Sequence, residues 1–81
     1  MITEQNYGAH SAKVDMQLLV NGASLAITHM GPDFLILESP IEHPPGEATI
    51  VLKVDQSERR WIVRLSEGLR SGRQQVSIAR A

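Results

Sequence analysis

Cysteine is missing altogether from these 81 residues, so neither a disulfide nor a thiolate metal site can hold the fold together. Aromatics are nearly as scarce. One Phe, one Tyr and one Trp leave Leu, Ile, Val, Met and Ala to fill whatever core forms. No apolar run approaches the roughly 20 residues that cross a bilayer as a helix. Met1-Ile2-Thr3-Glu4-Gln5-Asn6-Tyr7 also lacks the basic-then-apolar layout of a secretory leader, and the expectation is a cytoplasmic protein with no membrane contact. Glycine-rich phosphate cradles are absent, since Gly68 and Gly72 stand apart from any P-loop lysine. Ser, His and Asp occur, but none sits in a nucleophile elbow. His29, Asp33, Glu42 and His43 include no histidine pair at ligand spacing. The residues therefore argue against an enzyme, a bound metal and a cofactor.

What remains is the material of one small domain, near the lower size at which a single core stabilises a fold unaided. Its charges are unevenly distributed. Residues 1–52 hold one base, Lys13, against six acids, whereas residues 53–81 hold seven bases against three acids. Arg59, Arg60, Arg64 and Arg70 are thus candidates for an anion-binding face. The plainer alternative is that strands from the two halves lie side by side and pair their charges, or that the charges are simply solvated.

Residues 1–13 are polar and without periodicity, which predicts a disordered or loosely tied arm ahead of a single domain over 14–81. From Val14, the residues Val14, Met16, Leu18 and Val20 alternate with Asp15, Gln17, Leu19 and Asn21, the period of a half-buried strand. Asn21-Gly22 is the strongest short hairpin signal in the chain, because both residues tolerate positive φ. A two-residue turn there pairs Val20 with Ala23, Leu18 with Leu25, Met16 with Ile27 and Val14 with His29, and places His29 on the inward face.

Gly31-Pro32-Asp33 ends that hairpin. Phe34 to Leu37 is a third strand, apolar on both faces: a direct hairpin turns Leu35 and Leu37 inward, and a bulge turns Phe34 and Ile36 inward instead. Pro44-Pro45-Gly46-Glu47 suits a type II turn with Gly46 at positive φ. In the run Ala48 to Asp55, Ile50, Leu52 and Val54 share a face. The next run, Arg60 to Leu65, puts Trp61, Val63 and Leu65 on one side. A loop of four residues, Gln56 to Arg59, is favoured over two because it sets Asp55 against Arg60 and Val54 against Trp61 without like-charge pairs. Ser66 to Gly72 is a connection with room for one helical turn, and Gln74 to Ala79 ends the chain with Val76 and Ile78 inward. Six short strands predict an all-β, closed or nearly closed antiparallel barrel. Its expected core includes Leu18, Leu25, Ile27, Leu52, Trp61 and Val63.

Single-stranded nucleic acid would call for bases stacked on aromatics among the arginines. The strand pattern turns Trp61 inward and leaves none, so nucleic acid is disfavoured. Leu19, Val51 and Ile62 face outward, as does one pair from the third strand, and a contiguous apolar patch on so small a barrel predicts a contact surface. The expectation is a homodimer with Leu19, Val51 and Ile62 near its interface.

The order Leu35-Ile36-Leu37-Glu38-Ser39-Pro40, Pro45-Gly46, Ile50-Val51-Leu52-Lys53-Val54 and Trp61-Ile62-Val63-Arg64 resembles the PilZ domain, a six-stranded barrel of bacterial signalling proteins. That family binds cyclic di-GMP through an Arg-x-x-x-Arg pair before the first strand and an Asp/Asn, Ser and Gly set around the turn before the central strand. Here only Lys13 precedes the first strand, and the other positions carry His29, Gly31 and Phe34. The resemblance thus implies a degenerate relative that works through protein contacts and does not bind cyclic di-GMP. The function expected from the sequence is a non-catalytic interaction module, with anion or nucleic-acid binding through the arginine-rich half as the alternative.

Overall fold

The computed structural model describes residues 13–81. The arm expected at residues 1–13 lies outside the described residues except for Lys13. Six strands form: β1 (Val14–Val20), β2 (Ala23–Met30), β3 (Phe34–Leu37), β4 (Gly46–Val54), β5 (Ser57–Leu65) and β6 (Gln75–Arg80). They close into an antiparallel barrel in the order β1-β2-β3-β6-β5-β4, the architecture expected from the sequence. No helix long and apolar enough to cross a membrane occurs among the described residues.

The first hairpin keeps its expected register, Val20 opposite Ala23 and Leu18 opposite Leu25. Asn21 and Gly22 take φ of 50° and 84°, which lets a two-residue turn follow the twist of the strands. Between β2 and β3 the pairing shifts from Ile27 opposite Leu37 to His29 opposite Ile36. Thr28 is the extra residue of this bulge, and its hydroxyl donates to the Ile36 carbonyl at 3.3 Å. One inserted residue reverses the facing of all that follow. His29, expected inward, is therefore exposed, and Met30 packs on the core in its place. Leu35 and Leu37 are both fully buried although the hairpin is bulged, contrary to the expectation that a bulge would turn Phe34 and Ile36 inward, because the extra residue lies in β2 and Ile27 still faces Leu37.

The β4–β5 hairpin corrects the expected loop. Its turn is Asp55-Gln56, with Val54 opposite Ser57, Lys53 opposite Glu58, Ile50 opposite Trp61 and Gly46 opposite Leu65. Asp55 takes φ of 56°, a conformation its short polar side chain tolerates better than most. Avoidance of like charges, the reason for preferring a longer loop, is met here by Lys53 facing Glu58. Gly46 also departs from expectation, since it opens β4 and is not among the positive-φ glycines.

Leu18, Leu35, Leu37, Ile50 and Leu65 are completely buried, and Leu69 closes one end of their cluster. Leu69 arrives there because Gly68, at φ of 71°, lets the chain pass tightly under the Pro44 corner, where a Cβ would sit 2.2 Å from the His43 carbonyl oxygen. Leu69 and His43 then exchange backbone hydrogen bonds at 2.7 and 3.0 Å. No helical turn forms in this connection. Of the expected core, Leu18, Ile27 and Val63 are buried and Leu25 packs against them. Leu52 is only half-buried, and Trp61 is 37% exposed.

Candidate interaction surface

The exposure of Trp61 follows from strand length. β5 is paired with β4 along its whole course, but β6 reaches only Val63, Arg64 and Leu65. Among the described residues, 57–62 consequently have a neighbour on one side only. In a two-residue hairpin the closing pair, Val54 and Ser57, exchanges hydrogen bonds, and the antiparallel alternation then turns the backbone groups of Arg59 and Trp61 toward β4. The amides and carbonyls of Glu58, Arg60 and Ile62 point the other way, into the open side. A strand edge of this kind is a template for another strand.

Both large apolar residues of the edge are exposed. Ile62, on the outer face, is 53% exposed, and Trp61 lies on the inner face with no β6 residue paired to it among the described residues. Beside them is a cleft of about 420 Å³ whose walls include Met30, Pro32, Ile78 and Arg80. The floor is shaped at Gly31, whose would-be Cβ position is occupied by the Phe34 ring. The inner face continues toward the hairpin tip as Leu52 and Val54, which with Arg59 bound a second hollow of about 340 Å³. At the tip, the Lys13 amide donates to Asp55 Oδ1 at 3.0 Å and the Asp55 amide donates to the Lys13 carbonyl at 2.9 Å.

The charges on this hairpin are mostly matched. Glu58 accepts from Arg60 Nε and lies 3.9 Å from Lys53 Nζ, and the Arg60 hydrogen bond, followed by the charges of Arg60 and Lys53, holds its carboxyl below the usual value. Arg64 and Glu47 approach to 3.9 Å, a pair that joins the basic and acidic halves of the chain as the plainer charge reading expected. Arg59 and Arg80 have no ion pair among the described residues.

The opposite end of the barrel holds a shallow opening of about 360 Å³ lined by Glu42, His43, Glu67 and Arg70 among others. Glu42 and His43 are each engaged by nearby backbone groups. Glu42 Oε2 accepts from the Ser71 amide at 2.6 Å; that bond, a second from the Ser71 side chain and the Arg70 charge hold the carboxyl below its ordinary value. His43 Nδ1 lies 2.7 Å from the Pro44 carbonyl. No group of three His, Asp or Glu able to hold a metal ion occurs among the described residues.

The four candidate arginines do not form one face. Arg59 projects from the inner side of the edge, Arg60 and Arg64 from the outer side with carboxylate partners, and Arg70 lies at the far end of the barrel. The three candidate interface residues share the outer face in two neighbouring cross-strand rows and differ in exposure. Leu19 and Ile62 both flank Thr49 in one cross-strand row, Leu19 half-buried and Ile62 exposed. Val51 is 95% covered within the single chain, between its cross-strand neighbours Gln17 and Arg60, whose long side chains shield it. It offers little surface to a partner. Sequence reasoning missed Trp61 as a surface residue together with Met30, Pro32 and Arg80 around it. The sequence carries no signal for it, since the runs Arg60 to Leu65 and Gln74 to Ala79 are of equal length; the exposure arises because β5 begins at Ser57 and only Ile78 to Arg80 of β6 pair with it. Comparison with protein-family models, with curated proteins and with solved structures gives no match to this chain.

Proposed function

We propose that this chain is a non-catalytic module that binds a protein partner through the unpaired stretch of β5 and the cleft beside it. The observation that carries the reading is that two large apolar side chains, Trp61 and Ile62, are exposed at the stretch of β5 that has no second strand beside it among the described residues. Backbone pairing would supply affinity, and the apolar cleft would supply selectivity for the side chain that enters it. A cytoplasmic setting is consistent with the lack of cysteine. The PilZ resemblance fits a relative whose ligand positions are replaced; His29 is exposed on the barrel wall and Gly31 lies under the Phe34 ring, neither arranged as a phosphate clamp.

One observation favours the second reading, single-stranded nucleic acid or another anion. Trp61 is exposed with Arg80 beside it in the cleft and Arg59 two residues away on the same face. Stacking on one indole with flanking guanidiniums is a recognised mode, but the remaining arginines are dispersed or paired, so the protein contact is the stronger reading. Titration of Trp61 fluorescence with short single-stranded oligonucleotides and with cyclic di-GMP separates the two. We expect no saturable change with either ligand at micromolar concentration. Saturable quenching by an oligonucleotide would replace the protein-contact reading with the nucleic-acid one.

A further inference from the structure

We infer that the occupant of the β5 edge is a second copy of this chain, paired antiparallel across a two-fold axis at Arg59. This rests on the reading of β5 as the contact strand and names its partner. Edge strands are commonly guarded by charge, and Glu58-Arg59-Arg60 would repel most incoming strands. The same three residues are complementary to themselves. With Arg59 on the axis, Glu58 of each copy lies opposite Arg60 of the other, on the outer face, twice by symmetry. These are the residues whose amides and carbonyls point into the open side, so the opposed pairs are also the ones that can exchange backbone hydrogen bonds.

The register places Ser57 opposite Trp61 and brings the Asp55-Gln56 turn of the second copy to Ile62, at the mouth of the cleft. Arg80 lies there without an ion pair among the described residues, facing an incoming turn that carries a carboxylate. The one unfavourable contact is Arg59 with its own copy on the axis, where both side chains are exposed and salt screens them. Moving the register by one in-phase step puts Arg60 against itself and Glu58 against Ile62, and both opposite-charge pairs are lost. Charge therefore selects both the partner and the register.

A charge-exchange experiment tests this by analytical ultracentrifugation at tens of micromolar. Wild type is expected to sediment as a dimer. Arg60→Glu alone and Glu58→Arg alone should each weaken association roughly tenfold or more, since both outer pairs become like-charged. An equimolar mixture of the two variants should form a heterodimer, and the double variant E58R/R60E should recover the homodimer, results that also show the chains are folded. A monomeric wild type overturns the inference, and points to another occupant such as residues 1–12 or a different protein. A dimer indifferent to both substitutions overturns it as well. If wild type is monomeric but Ile62→Glu abolishes capture of a defined protein from the native cell, only the identity of the partner has failed; if Ile62→Glu changes nothing there, the contact reading has failed too.

Discussion

The two halves of the β4–β5 hairpin are made of similar residues and have opposite fates. Toward the barrel's closed end, Ala48 and Ile50 on β4 and Val63 and Leu65 on β5 are buried; toward the tip, Leu52 and Val54 are half-buried and every residue from Ser57 to Ile62 is exposed. Hydropathy alternation does not distinguish them, for Trp61 sits on the same face as Leu65. What differs is the next strand: β6 faces residues 63–65 and stops. An inward-facing side chain is buried only where the barrel wall continues around it, so the length of the shortest neighbour decides which apolar residues become core and which become a surface.

The sharpest way to break this comparison is to shorten a core side chain and an edge side chain in parallel. Leu65→Ala should cost about 2 to 5 kcal/mol, because it opens a cavity in a completely enclosed site. Trp61→Ala, which removes a larger side chain from a half-open site, should cost less, about 1 to 2 kcal/mol. Denaturant melts decide both, and equal losses would mean that Trp61 belongs to the core after all. Gly68→Ala should cost more than about 1 kcal/mol, since alanine meets both a positive φ and the His43 carbonyl. Thermal denaturation of that variant reports on whether the Leu69 plug depends on this close approach.

Smaller effects sharpen the contrast in charge. A double-mutant cycle on Glu47 and Arg64 should give a coupling of about 0.2 to 1 kcal/mol, weakened by salt, because both side chains are mostly solvated. Smallest is the acid response of Glu42. Its native pKa is lowered from the ordinary 4.5, first by the Ser71 amide, so its contribution to stability is present above that value and lost as pH falls through the lower native one. Carbon-detected titration of Glu42 should show the depressed midpoint, and Glu42→Gln should flatten that part of the stability profile. An unshifted midpoint would mean that the Ser71 contact does not persist in solution.

Much of this fold can be read in the residues. Asn21-Gly22 specifies its turn chemically, and alternation then assigns both flanking strands. The Asp55-Gln56 turn carries a weaker signal, because a positive φ at aspartate is permitted but not demanded, and the correct charge criterion was met by a shorter loop than expected. The Thr28 bulge is invisible to alternation: an extra residue costs little locally, yet it moved His29 from inside to outside. The proposed contact surface is half legible. Ile62 follows from parity alone, whereas the covering of Val51 and the exposure of Trp61 depend on neighbours that only the strand order 1-2-3-6-5-4 brings alongside.

Amide hydrogen exchange measured as a function of protein concentration tests the central claim most directly. If the free side of β5 is a contact edge for a second copy, the amides of Glu58, Arg60 and Ile62 exchange rapidly in dilute solution and become protected together as concentration rises through tens of micromolar. The amides of Arg59 and Trp61, bonded to β4, stay protected throughout. Protection of Glu58, Arg60 and Ile62 that is independent of concentration, whether absent or complete, would contradict the account.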